Sequence, residues 1–65
     1  MSIAKVIEVI AQGATVEDAV QSAVTEASKS VRDIKSVYVE NITAIVSEGT
    51  VTMYRVNCKL TFVVD

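Results

Sequence analysis

Arg55 and Lys59 stand four residues apart in Met53-Tyr54-Arg55-Val56-Asn57-Cys58-Lys59-Leu60-Thr61, a segment in which apolar and polar residues alternate. A period of two puts Tyr54, Val56, Cys58, Leu60, Phe62 and Val64 on one side of a strand and Met53, Arg55, Asn57, Lys59 and Thr61 on the other. The two cations suit phosphate or carboxylate groups, above all where symmetry gathers copies around an axis. The competing role for them is an ion pair between subunits with Glu40 or Glu8. Tyr38 follows Ser36 on one alternating face, and its phenol ring can stack on a planar ligand and hydrogen-bond, or pack across strands at an interface. Ser36 has a hydroxyl to donate, although serines that open strands commonly need no ligand.

Other chemistries are poorly provided for. The chain has 65 residues, no histidine and Cys58 as its one cysteine, so neither an internal disulfide nor a Cys/His zinc site can be assembled. The same shortage removes catalytic triads and histidine acid–base work, and the protein is expected not to be an enzyme. Cys58, on an apolar strand face, reads as a small core residue. Calcium would need Glu8, Asp33, Glu40, Glu48 and Asp65 to converge from several copies, because no local run supplies the six to eight oxygens the ion takes. Gly13 and Gly49 form no phosphate-binding loop. The formal charge of -2 argues against a general nucleic-acid footprint. Met1 to Ala11 lacks the basic leader and cleavage pattern of a secretory signal, and no apolar run reaches the roughly 20 residues of a spanning helix, so a cytoplasmic protein without membrane partners is expected.

The elements that must position these residues follow from pattern. Ser2 to Ala11 reads as a strand rich in isoleucine and valine, with Lys5 and Glu8 on opposite faces. Apolar residues on both faces suit a strand sandwiched between its own helix and another subunit, or a central strand of a mixed sheet. Gln12-Gly13-Ala14 breaks the pattern. Thr15 then caps a helix, with Asp18 placed to answer it in a capping box. The stripe Val16, Ala19, Val20, Ala23, Ala27, Val31 and Ile34 predicts an amphipathic helix of about 17 residues, whose alanines permit close approach to a sheet.

Lys35 to Ser47 reads as a second strand, Glu48-Gly49-Thr50 as a hairpin turn, and the segment through Val64 as a third strand. Strands this long should twist or bulge. A bulge near Asn41 to Ala44 would explain why Asn41 and Thr43 share a simple alternating face with Val37, Val39 and Ile45. The order β-α-β-β gives one α+β domain over residues 1–65, with a three-stranded antiparallel sheet wrapped on one amphipathic helix. The far sheet face is left uncovered, and a closed homo-oligomer is the natural cover.

The chain resembles the dodecins, small flavin-binding proteins, over nearly its whole length. The resemblance rests on Lys5-Val6-Ile7-Glu8, on the helix residues Ala19-Val20, Ala23 and Ala27-Ser28-Lys29-Ser30-Val31-Arg32-Asp33-Ile34, and on Tyr54-Arg55-Val56-Asn57-Cys58-Lys59-Leu60-Thr61-Phe62. It implies a hollow homododecamer of cubic symmetry, helices outward and sheets lining the interior. Flavin-binding members carry a tryptophan just after the helix, stacked on the isoalloxazine ring, and a glutamine on the last strand at the ring's polar edge. Ser36 and Arg55 occupy those positions here, and the loop Gln12-Gly13-Ala14-Thr15 is about one residue shorter than usual in the family. The resemblance thus implies small-molecule binding or storage, with FMN or riboflavin held at reduced affinity and Ser36, Tyr38, Arg55 and Lys59 as contact residues. Dodecin-like proteins without the tryptophan have been described as calcium-binding, which makes a calcium-binding or purely structural assembly, with no cofactor, the alternative.

Overall fold

The computed structural model describes residues 2–64. The chain runs β1 (Ile3–Gly13), α1 (Val16–Ala27), β2 (Ile34–Ser47) and β3 (Thr50–Val64). The sheet order is β1-β3-β2, with β3 antiparallel to both neighbours. The expected α+β architecture with a three-stranded antiparallel sheet and one helix is therefore present. β1 is an edge strand of a wholly antiparallel sheet, which removes the reading of it as the centre of a mixed sheet.

The main departures from the expected boundaries lie at the end of β1 and the end of the helix. β1 continues past Ala11 to Gly13, which pairs with Tyr54. Gly13 is a position of close approach rather than a breaker: a Cβ there would lie 2.6 Å from the backbone nitrogen of Ala19 and 2.9 Å from the carbonyl carbon of Asp18. The helix is 12 residues long and stops at Ala27. Beyond it, Lys29 and Ser30 donate their N–H groups to the carbonyls three residues back, Glu26 and Ala27. This tightened turn sits on serines, whose hydroxyls compete with the helical backbone. Asp33 at φ 59 then redirects the chain into β2. Val31 and Ile34 still pack on the core from the turn and the strand, so the stripe continues after the helix has ended.

At the helix start, the Thr15 hydroxyl accepts from the Asp18 N–H at 3.0 Å, the forward half of the expected capping box. In the hairpin, Glu48 (φ 51) and Gly49 (φ 78) both take the left-handed conformation that two-residue turns between twisted strands require. The bulge falls between Val39 and Asn41, with Glu40 as the extra residue, slightly before the expected segment. It has the expected effect. Asn41 pairs with Asn57 and Thr43 with Arg55, while Ile42 pairs with Val56. Two further irregularities occur at Ile34/Ser36 and Ile45/Val46.

The core is one layer deep. Ala19, Ala23 and Ala27 on the buried helix face meet Val56, Cys58 and Leu60 of the central strand. Burial pushes the Cys58 thiol pKa up, because the thiolate would lose its hydration. The remaining shape is extended. The subunit measures 52 × 19 × 13 Å, and its radius of gyration of 13.4 Å exceeds the roughly 11 Å of a compact chain of this length. Its accessible surface of 4655 Å² likewise exceeds the roughly 4,000 Å² normal for its mass. Part of the excess is apolar: Val6, Ile10 and Tyr38 on the sheet face away from the helix, and Ile42, Val46 and Val51 along the hairpin.

Gly13→Ala must push α1 away from β1, because the atoms in its way belong to the backbone. The substitution is expected to cost about 1–3 kcal/mol, read as a lower denaturation midpoint at fixed protein concentration. An unchanged midpoint would contradict the close approach.

Candidate functional site

The sheet face opposite the helix is built in rows by the register of β3 with its neighbours. Thr61 lies between Val6 and Ser36, and Lys59 between Glu8 and Tyr38. Asn57 lies between Ile10 and Asn41, and Arg55 between Gln12 and Thr43. The bulge at Glu40 makes this face continuous in polar groups, since without it Asn41 and Thr43 would turn toward the helix side.

Ser36, Tyr38, Arg55 and Lys59 all lie on this face, but in two groups. Tyr38 is directly across from Lys59, and Ser36 is one row further along. Arg55 belongs to the other end, separated from Lys59 by about 13 Å of strand and from the row of Ser36 by about 20 Å. One small ligand on one chain therefore cannot touch Ser36 and Arg55 together.

Each cation has a partner within its own chain. Lys59 Nζ is 3.3 Å from Oε1 of Glu40, the bulge residue of the same chain. The hydrogen bond to Glu40, then the charges of Glu40 and Glu8, raise the Lys59 pKa above the ordinary lysine value. The pair is substantially exposed and screened by water and salt. Arg55 has a neutral partner within the chain: its Nε and Nη2 both donate to Gln12 Oε1, at 3.3 and 3.0 Å, and neither Glu8 nor Glu40 of the same chain pairs with it. Sequence reasoning missed Gln12, having placed it in a break between elements. Its signal is the cross-strand register, which becomes readable only when β1 is carried on to Gly13.

Tyr38 is 64% exposed, with its ring available above the sheet. Ser36 stands near the start of β2, with Thr61 between it and the exposed Val6. Among the described residues, no three His, Cys, Asp or Glu side chains lie together to hold a metal ion. Of the acidic residues considered for calcium, Asp65 lies outside the described residues. No helix among them is long and apolar enough to cross a membrane.

A single helix on one face of an antiparallel β-α-β-β sheet, with the other face open and carrying Tyr38 and most of the polar groups, is a fold of the dodecin type. The dodecin family model matches residues 3–65, and the chain belongs to that family. Similar solved structures agree in fold. A dodecin from Streptomyces coelicolor is 29% identical with a TM-score of 0.90, covering 98% of this chain and 93% of that one. A Thermus thermophilus dodecin variant is 24% identical with a TM-score of 0.91, covering 100% of this chain and 98% of its own. The dodecin from Streptomyces davaonensis reaches a TM-score of 0.90 at 17% identity, over 98% of this chain and 96% of that one. No curated protein matches this sequence.

Because folded Lys59 holds its proton more tightly than the unfolded chain does, its pairing with Glu40 stabilises the fold below the ordinary lysine pKa. That contribution is lost as pH rises through the raised value. Glu40→Gln is expected to bring the Lys59 titration back down toward the ordinary lysine value, followed by NMR at its Cε carbon. An unmoved midpoint would assign the shift to something other than Glu40.

Proposed function

We propose that residues 1–65 form one dodecin-like domain of a closed homo-oligomeric shell, a homododecamer as in its relatives. The shell binds or stores a small molecule on the open sheet face and does not catalyse a reaction. The observation that carries this reading is the open face itself: an exposed tyrosine, flanking apolar residues and a continuous set of hydrogen-bonding groups on a subunit too extended to bury them alone. Flavin is the family's ligand, and FMN or riboflavin is bound here more weakly. Ser36 gives no ring on which to stack, and Arg55 offers donors where a glutamine would also offer an acceptor.

Ser36, Tyr38, Arg55 and Lys59 are the proposed contacts. Their division between two ends of the face means that a ligand meeting both ends does so through different copies. Tyr38 retains part of the aromatic surface that position 36 lacks. The second reading, calcium held by carboxylates, needs Glu8 and Glu40 from more than one copy. It is the less supported, because both acidic groups already act on Lys59.

Riboflavin titration followed by quenching of flavin fluorescence tests the reading. Native protein should quench only at micromolar or higher concentration. Ser36→Trp should tighten binding by about 1–3 kcal/mol, or about five- to 150-fold, if that position faces the ring. Tight native binding, or a Ser36→Trp protein no better than the native one, would contradict it.

A further inference from the structure

Arg55 differs from Lys59 in a way that bears on what the open face accepts. Lys59 is neutralised locally, with Glu40 bonded to it and Glu8 directly across. Around Arg55 the register places only neutral residues: Gln12 and Thr43 on either side, with Asn57, Asn41 and Met53 in the adjoining positions. Among the described residues no carboxylate comes within ion-pair distance of it. The charge is nevertheless held in place, because Gln12 Oε1 accepts from both Nε and Nη2.

This bonding pattern fixes the polarity of the row. The acceptor oxygen of Gln12 is used by Arg55, and what stays available is its Nε2 donor. Arg55 keeps both N–H groups of Nη1 and one of Nη2, a fork that matches two oxygens of one anionic group. The Thr43 hydroxyl across the strand can donate as well. A row of donors around a positioned, uncompensated cation fits a ligand edge made only of acceptors. It fits the polar edge of a flavin ring less well, where an N–H between two carbonyls asks for an acceptor that neither Arg55 nor the remaining amide of Gln12 supplies. Covering this face with other copies would strengthen the preference, since a cation removed from water without a counter-charge is costly.

We infer that the Arg55–Gln12 pair is an anion-recognition element, which takes the carboxylate or phosphate group of a small organic ligand and selects against neutral ring edges. The inference rests on the reading of the open face as a small-molecule site and names the class of ligand for its β3–β1 end. Gln12 is the positioning residue and Arg55 the contact.

Two measurements on the intact oligomer test it, in native protein and in Arg55→Gln. The first compares FMN with riboflavin, which share a ring and differ in the phosphate. Native protein should prefer FMN by about ten- to 100-fold, and Arg55→Gln should bring the ratio close to one. The second compares melting in inorganic phosphate and in chloride at equal ionic strength, where the rise in phosphate should be larger for native protein than for Arg55→Gln. If neither flavin binds but the phosphate difference persists, the flavin-binding expectation fails and the anion element stands. If the FMN preference and the phosphate difference are both the same in the two proteins, the inference is overturned. It is also overturned if phosphate has no differential effect and Arg55→Gln lowers the native mass, because Arg55 then pairs with a carboxylate of a second copy.

Discussion

One helix cannot cover both faces of a sheet, and the rest of this molecule follows from that inequality. α1 presents only alanines at its buried positions, which brings it close to β1 and β3 but gives a thin core around Val56, Cys58 and Leu60. The close approach is possible because Gly13 has no side chain where Ala19 passes. The opposite face keeps Val6, Ile10 and Tyr38 in water, and both outer strands keep an open edge. Such exposure is an invitation to further pairing unless it is covered by design. Under the proposed function, the cover is other copies of the chain, and the act of covering would complete the site.

The open face is divided along its length. Its two ends do different things. At one end Tyr38, Ser36 and the Lys59–Glu40 pair give an aromatic surface beside a locally balanced charge. At the other, Arg55 is oriented by an amide and carries its charge without a counterion among the described residues. A separation of about 20 Å along the strand keeps the two ends apart on one chain.

The architecture was legible in the sequence because alternation in β3 is nearly perfect from Tyr54 to Phe62 and the turn at Glu48-Gly49 has only one economical geometry. The misplacement of Asn41 and Thr43 in a simple alternation signalled a bulge, and Glu40 supplies it. The helix end was not legible. Val31 and Ile34 continue the helical spacing while sitting in a turn and a strand, since burial against the same core imposes a similar pattern on different backbones. At the site, the four residues could be placed on one face, but their separation into two groups depended on the register. The partner of Arg55 was hidden because Gln12 lies beside a glycine that reads as a break. Whether Lys59 met Glu40 in cis depended on the bulge aiming that side chain across β2.

The central claim is that the open sheet face is covered by other copies of the chain, and native mass spectrometry at micromolar concentration tests it most directly. A single dominant species near 84 kDa, about twelve chains of 7.0 kDa, is the expected result. A species at 7.0 kDa, with the face left to water, would contradict it.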